Sequence, residues 1–185
     1  MSRWLIGILV VVLVIGFWMV GIYNGLVGKE QNVKTSWAQV ESQLQRRYDL
    51  IPNLVETVKG YAKHEKEIFE NVAAARSAWA NAKNSGEKVA AANQMEGFLG
   101  RLIAVSENYP QLRASENFRA LQDELAGTEN RVAVARMRYN DAVQDYNTTA
   151  RSVPSVFFVR LMHFDREKTF FEAAPEAKEA PKVKF

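Results

Sequence analysis

One short stretch of the sequence has residue types that could bind a metal ion and activate water. Residues 64–68 (HEKEI) begin like the helical motif of zinc proteases, in which two histidines four positions apart hold the metal and the glutamate is the general base. Position 68 is Ile, and the other histidine of the chain, His163, lies in an apolar C-terminal stretch. We therefore predict no metal site, with His64 on a solvated face and Glu65 paired with a basic residue.

Other catalytic patterns are absent from the sequence. It contains no cysteine, which removes thiolate metal sites, a cysteine nucleophile and disulfides. It has no glycine-rich phosphate loop and no serine nucleophile elbow. No spacing singles out a carboxylate pair for acid–base work, so Glu65 and Glu107 remain as the candidates for a hydrolase. We predict a non-enzymatic protein without a cofactor.

A different set of polar residues lies beside the predicted apolar stripes of the helices. Arginines and carboxylates there can pair between helices, and each tyrosine–asparagine pair adds a ring with a polar tip and an amide. The set comprises Arg46, Arg47, Asp49, Glu107, Glu129, Arg131, Arg136, Tyr139, Asn140 and Tyr146. We predict a buried polar network that fixes helix register, which requires that its members be paired. The alternative is a ligand site in the core, lined by the same Tyr, Asn and Arg side chains.

These polar residues depend on helices that begin after a strongly apolar segment. From Trp4 to Tyr23 the chain runs for 20 residues without a charge. As a helix this segment is roughly 30 Å long, about the thickness of the hydrocarbon core of a bilayer. Trp4, Trp18 and Tyr23 stand near its ends, where amphipathic rings favour the headgroup level. We predict a transmembrane anchor whose partner is the lipid bilayer.

A cleaved signal peptide is the competing interpretation of the same segment, with Arg3 as its positive n-region. Two features argue against it: the apolar run is longer than an h-region, and its exit lacks the small-x-small pattern of a cleavage site. Positive-inside counting favours a cytoplasmic N-terminus and an exported domain, since Arg3 lies closer to the segment than Lys29 or Lys34 does.

The charge balance bears on the partners of the remaining chain. Lys and Arg number 24 and Asp and Glu number 21, so without Arg3 the basic residues are 23 against 21 acidic ones. A nucleic-acid-binding surface needs basic residues concentrated on one face. The nearly balanced charge therefore gives no support for nucleic acid as a partner.

The rest of the sequence has the apolar periodicity of helices. Steps of three and four residues recur in four segments and give each an apolar stripe on one face. The stripes run from Val33 to Leu44, from Leu54 to Ala82, from Val89 to Val105 and from Phe118 to Tyr146. The last one holds for four heptads, the spacing of a coiled coil. Because proline disfavours helical geometry at the preceding residue, we predict that the first helix ends at Pro52 and that the chain reverses there.

These elements predict an all-α fold, in which an N-terminal transmembrane helix is followed by an antiparallel four-helix bundle with long helices. The predicted domains are an anchor over residues 1–25, a helical bundle over 26–153, and a membrane-proximal segment with a flexible tail over 154–185. The fourth helix would bring residues 156–164 (VFFVRLMHF) back to the bilayer surface. They are too few to span it, and could rest on the interface, cap the bundle or meet a neighbouring subunit.

Several motifs that cover nearly the whole chain point to a known family. The most specific is the block over residues 46–55 (RRYDLIPNLV). Others are residues 58–65 (VKGYAKHE), 118–125 (FRALQDEL) and 128–131 (TENR), together with Tyr139-Asn140 and Tyr146-Asn147. The sequence resembles the LemA family, although Val153-Pro154 stands where Phe-Pro is usual.

The resemblance implies a bacterial single-pass membrane protein with an all-helical bundle, and it implies no reaction and no catalytic residues. One relative in the family is associated with magnetosome organelles, which suggests a membrane-organising role. The resulting hypothesis is a membrane-anchored scaffold or adaptor in the bacterial inner membrane that recruits protein partners and could form a homo-oligomer. The alternative hypothesis is a membrane-tethered domain that senses a small ligand.

Overall fold

The computed structural model describes residues 3–172 and contains six helices there. They are α1 (Arg3–Lys59), α2 (Lys66–Asn81), α3 (Ser85–Ser106), α4 (Pro110–Ala114), α5 (Glu116–Arg151) and α6 (Ser155–Leu161). No strand occurs between residues 3 and 172. The prediction of an all-α fold with a long apolar N-terminal helix is confirmed. The flexible tail predicted within residues 154–185 lies outside the described residues from position 173 onward.

The predicted reversal at Pro52 is wrong, because α1 continues through this proline to Lys59. A proline inside a helix costs roughly 3 kcal/mol through the lost hydrogen bond and a steric clash. Ile51, Leu54 and Val58 are nevertheless almost fully buried, and burying an aliphatic side chain stabilises by roughly 1.5–3 kcal/mol. A continuous helix keeps these three side chains on one buried stripe, and their combined burial outweighs the penalty. The chain reverses between Gly60 and Glu65 instead.

The described residues fall into two compact units. Unit 1 consists of residues 3–38 and 137–170, and unit 2 consists of residues 39–136 with 171–172. In unit 1 the ring of Trp37 lies edge-on to that of Tyr139, with centroids 5.2 Å apart. The Lys29 ammonium lies 2.6 Å from the carboxylate of Asp145. Lys29 precedes Trp37 in α1, whereas their partners Asp145 and Tyr139 occur in the opposite order in α5. The two helices therefore run antiparallel in unit 1.

Unit 2 is built from helices that pack against one another. The centroids of the Tyr48 and Trp79 rings lie 4.8 Å apart, and the Lys59 ammonium lies 5.6 Å from the centre of the Phe69 ring. Because the later residue of α1 contacts the earlier residue of α2, these two helices are antiparallel in unit 2. Helix α3 joins them through the Lys88 side chain, which pairs with Glu41. The core of this unit includes Val40, Leu44, Tyr48, Ile51, Leu54, Val58, Val72, Trp79, Met95, Leu99, Leu102, Phe118, Leu125 and Val132.

Helix α3 begins at a well-formed cap. Asn84 accepts a hydrogen bond at 2.9 Å from the backbone N–H of Glu87, while the Glu87 carboxylate accepts one at 2.7 Å from the N–H of Lys83. This reciprocal arrangement satisfies backbone donors that would otherwise lack partners at the start of a helix. It explains why α3 begins directly after Asn84.

We expect the double substitution Gly97→Ala and Gly100→Ala to stabilise the protein. Both glycines lie exposed inside α3, and a Cβ atom at either position would meet no other atom within 4 Å. The gain in free energy of unfolding should total about 1–2 kcal/mol, because alanine loses less backbone entropy than glycine in a helix. Urea titration in detergent measures it. Gly86→Ala is the control, since its Cβ would lie 3.3 Å from the capping oxygen of Asn84; an equal gain there would contradict the explanation.

Candidate functional site

A group of hydrogen bonds in unit 1 joins α5 to the segment that follows α6. We call residues 164–170 the C-terminal strap. The Tyr146 hydroxyl donates to the carbonyl of Asp165 at 2.6 Å, and the Tyr139 hydroxyl donates to the carbonyl of Thr169 at 2.8 Å. Because the two tyrosines are seven residues apart on α5, they lie on the same face and meet the strap at two points.

Asn147 adds the third attachment, and it is the most specific one. Its side-chain amide donates to the carbonyl of Lys168 at 2.9 Å and accepts from the N–H of the same residue at 2.7 Å. A carboxamide that pairs with both polar groups of one backbone residue substitutes for a strand partner. Asn147, Tyr139 and Tyr146 are all buried, so these hydrogen bonds are largely shielded from water. The strap is held by side chains rather than by regular secondary structure.

The side chain of Lys168 forms an ionic centre over this site. Its ammonium lies 3.0 Å from the carboxylate of Glu30 and 2.5 Å from that of Asp165. Burial disfavours the charge, but the hydrogen bonds to Asp165 and Glu30 outweigh it and raise the pKa of Lys168. The hydrogen bond from Lys168 lowers the pKa of Glu30 in spite of its partial burial. The ammonium also lies 5.4 Å from the centre of the Tyr146 ring, within range of a cation–π contact.

Burial keeps the two tyrosines protonated. Desolvation raises the pKa of Tyr139 and of Tyr146, although the nearby Lys168 ammonium acts in the opposite direction. Both hydroxyls therefore remain hydrogen-bond donors at neutral pH. Their environment suits attachment of the strap and not proton transfer.

We expect the stability of unit 1 to fall in acid because of Glu30. Its folded-state pKa is lowered, so its contribution is present above its unfolded pKa near 4.5 and is lost as the pH falls through the folded value. Glu30→Gln should therefore reduce the loss of stability between pH 6 and pH 3, a window of about three units around that value. Denaturant titrations across this range measure the effect. Glu70→Gln, at an exposed position without an ion pair in the described residues, is the control; equal pH dependence in both variants would contradict the assignment.

The predicted arginine cluster lies in unit 2, and it centres on a carboxylate that the sequence did not single out. Arg46 lies 2.9 Å and Arg131 lies 3.2 Å from the same oxygen of Glu124. Arg47 approaches Glu129 at 3.8 Å. The Arg46 and Arg131 side chains are largely exposed, so each of these pairs contributes about 0–1 kcal/mol. They line a surface rather than hold the core together.

Arg136 is placed differently, with its guanidinium 4.3 Å from the centre of the Phe171 ring and 3.3 Å from the Glu96 carboxylate. Asp49 accepts a hydrogen bond from Gln45 of the same helix and makes no interhelical ion pair with the residues from 3 to 172. Glu107 is exposed at the end of α3, and its carboxylate pairs with no described residue. The structure thus places the residues of the predicted set in separate groups.

Unit 2 also buries polar atoms that lack a hydrogen-bond partner among the described residues. They are Gln43 Oε1, Arg47 Nε, the Tyr48 hydroxyl and Arg136 Nε. Desolvation raises the pKa of Tyr48, against the effect of the Arg47 and Arg136 guanidinium groups. A buried donor or acceptor without a partner costs about 1–3 kcal/mol, so a water or a small ligand bound to these atoms would stabilise unit 2.

The residues first considered for metal chemistry are not assembled into a site. His64 is exposed, and Glu65 accepts a long hydrogen bond of 3.5 Å from the Tyr109 hydroxyl. Glu65 does not form the predicted pair with a basic residue among the described residues. No group of three or more His, Asp or Glu side chains suited to a metal ion occurs within residues 3–172.

Helix α1 has the length and composition to cross a membrane, and none of its apolar window is buried in the described structure. A comparison with protein-family models matches the LemA family over residues 36–185. The chain belongs to the LemA family. The apolar helix and this membership fit a membrane-associated helical protein that crosses the membrane once.

Other relatives of this LemA-family chain are similar over most of its length. Magnetosome protein MamQ 2 of Paramagnetospirillum magneticum is 26% identical over 176 residues, covering 81% of this chain and 65% of the relative. Magnetosome protein MamQ of Magnetospirillum gryphiswaldense is 24% identical with the same coverage. Protein LemA of Metamycoplasma hominis is 23% identical over 145 residues, covering 76% of this chain and 66% of the relative. The chain thus spans just under two thirds of these relatives, and neither the family description nor these names are those of enzymes.

Sequence reasoning missed the strap and its ionic centre. Glu30, Asp165 and Lys168 are separated by up to 138 residues, and no periodic pattern connects them. The repeated Tyr-Asn pairs at 139–140 and 146–147 were the available signal, since one heptad places both on the same face of α5. Their partners are backbone carbonyls, which every residue has, so the sequence could not name them.

Proposed function

We propose that this LemA-family chain is a non-enzymatic scaffold anchored by a single span in the bacterial inner membrane. It recruits protein partners to the bilayer and assembles as a homo-oligomer. The observation that carries the proposal is that α1 leaves the apolar segment without a break and packs directly against α5 and the C-terminal strap. A protein built this way presents folded helices at the membrane without an assembled catalytic group in the described residues.

The names of the relatives support a role in membrane organisation. Three of them are called magnetosome proteins, and all three match this chain over 81% of its length. We extend to this chain the general role of holding proteins at a membrane, without the particular organelle. The Arg46 and Arg131 side chains on unit 2 are exposed and fit acidic partner surfaces.

The test is purification of the full chain in mild detergent, followed by mass determination and identification of co-purifying proteins. The proposal predicts a mass of at least two protomers and recovery of a membrane or protein partner. A matched variant with Arg46→Glu and Arg131→Glu should lose the partner and keep the helical circular dichroism signal. A strict monomer that retrieves no partner would contradict the scaffold.

A reporter at the C-terminus tests the compartment. Positive-inside counting predicts an exported domain. A phosphatase that is active only in the periplasm should therefore be active when it is fused to the C-terminus, and a fluorescent protein that folds only in the cytoplasm should not fluoresce there. The opposite pattern would place the domain, and with it every partner, in the cytoplasm.

A second candidate function is a ligand-sensing domain in unit 2. Three buried donors without a partner among the described residues, Arg47 Nε, Arg136 Nε and the Tyr48 hydroxyl, favour a small anionic ligand in that region. A thermal-shift screen of carboxylate and phosphate metabolites on the full chain tests it. A hit should raise the melting temperature, and Arg136→Gln should abolish the shift while Arg138→Gln, on an exposed position of the same helix, should not. A screen without a hit would count against this candidate.

A further inference from the structure

The strongest unexplained surface in unit 1 is the exposed face of α6, and the packing of α5 fixes its level along α1. Asp145 of α5 contacts Lys29 of α1, and the two helices are antiparallel. Helix α5 ends at Arg151, six residues beyond Asp145, which is about 9 Å of rise. The same distance along α1 from Lys29 leads to Tyr23. The end of α5 is therefore level with the end of the apolar segment.

The chain after α6 is held at the same level by a second contact. The Phe164 ring lies edge-on to the Tyr23 ring, with the centroids 5.7 Å apart. Helix α6 lies between Arg151 and Phe164, so both of its flanks are fixed near Tyr23. Because Tyr23 closes an apolar run of bilayer length, this level corresponds to the membrane–water boundary.

One face of α6 is apolar and exposed. Phe157 is 69% exposed and Leu161 is 63% exposed, and they stand four residues apart on one side of the helix. Ser155 and Val159 lie on the other side and are buried. Val153, just before the helix, is exposed as well. Large apolar side chains grouped in this way on a surface mark a contact with a lipid or protein partner.

Charge and length identify the occupant. Residues 151–168 include four basic and two acidic residues, and Lys168 pairs with Asp165. Outside this pair the exposed charges of the segment are three arginines and one acid, Arg151, Arg160, Arg166 and Glu167. This balance suits anionic headgroups. Helix α6 has 7 residues and is far too short to span a bilayer, whereas a helix that lies in the interface needs only an apolar face and a polar face. Arg160 is exposed beside Leu161, where a long cationic side chain can reach the headgroups.

We propose that α6 is an interfacial anchor that lies on the bilayer surface, with Phe157 and Leu161 inserted at the boundary between headgroups and acyl chains. This inference rests on the membrane anchorage in the proposed function and adds a second, lateral contact with the lipid. The contact holds the C-terminal strap against the membrane. It also limits the tilt of α1 relative to the membrane normal, because a protein held by a span alone has a single attachment about which it can tilt.

Fluorescence quenching by spin-labelled lipids tests the seating of α6 in the full chain. The sequence has no cysteine, so single-cysteine variants can be labelled at one site each. The chain is reconstituted in vesicles of equal phosphatidylcholine and phosphatidylglycerol that contain a lipid with a nitroxide at a shallow acyl position. Labels at Phe157→Cys and Leu161→Cys should be quenched severalfold more than a label at Asn32→Cys, which is exposed nine residues beyond Tyr23 on α1.

A label at Val12→Cys, within the apolar segment, separates failure of this inference from failure of the anchor. Quenching by a deep nitroxide at position 12 without shallow quenching at positions 157 and 161 would overturn the interfacial anchor and leave the span intact. No quenching at position 12 would overturn the anchor and this inference together. A blue-shifted but unquenched label at position 157 would show that a protein surface covers α6, and would also overturn the proposal. Circular dichroism of each labelled variant verifies that it is folded.

Discussion

Two arginines in the middle of the apolar segment, Val11→Arg and Val14→Arg, should release the protein from the membrane. Both positions are exposed along α1, with no polar partner in the helix that could shelter a charge. An arginine at the centre of a span raises the apparent free energy of insertion by about 2.5–3.5 kcal/mol, so two should raise it by about 5 kcal/mol or more. Carbonate extraction followed by quantitative blotting measures the fraction of the protein that is integrated in the membrane. This fraction should fall from nearly all of the protein to a small part of it.

The matched control places two arginines on the same helix outside the apolar segment. Gln31→Arg and Asn32→Arg lie at exposed positions and should leave the integrated fraction unchanged. N-terminal sequencing of the unmodified protein separates an uncleaved anchor from a signal peptide. A mature protein that begins after Tyr23, or a double-arginine variant that resists carbonate as well as the parent does, would refute the anchor.

Asn147→Ala should be the most damaging polar truncation in unit 1. It removes the two hydrogen bonds that hold the backbone of Lys168 and leaves a donor and an acceptor without partners. With about 1–3 kcal/mol for each unpaired buried group, and some of it recovered through water, we expect a loss of about 2–3 kcal/mol in free energy of unfolding. Chemical denaturation in detergent measures this loss.

Hydrogen exchange shows where the damage lies. Peptides that cover residues 164–170 should lose protection in Asn147→Ala, because the strap is attached mainly through Tyr139, Tyr146 and Asn147. Gln144→Ala, exposed on the same helix, should change neither the stability by more than about 0.5 kcal/mol nor the exchange of the strap. Full protection of the strap in Asn147→Ala would mean that these hydrogen bonds do not hold it.

The local features of the protein could be predicted from its residues. The charge-free run from Trp4 to Tyr23 indicates a span, and the apolar steps of three and four predict the helices. The cap at Asn84 follows from residues within one turn of one another. All of these depend on side chains close together in the chain, so the sequence contains both partners of each interaction.

The course of the chain at Pro52 shows the limit of local reasoning. Considered alone, the proline predicts a helix end, and the penalty that supports this prediction is real. The outcome depends on Ile51, Leu54 and Val58, whose burial requires other elements to be packed around them. A local penalty of a few kcal/mol was outweighed by a tertiary gain of the same order.

The sequence by itself determined the candidate membrane span, the helical class and the two Tyr-Asn pairs spaced by one heptad. Only the tertiary structure decided what these pairs hold, because their partners are carbonyl groups of an aperiodic strap. It also decided that Lys168 contacts Glu30 and that Phe164, after α6, contacts Tyr23. Periodicity specifies which face of a helix is buried, whereas contacts between distant and irregular segments depend on where the packed helices bring them.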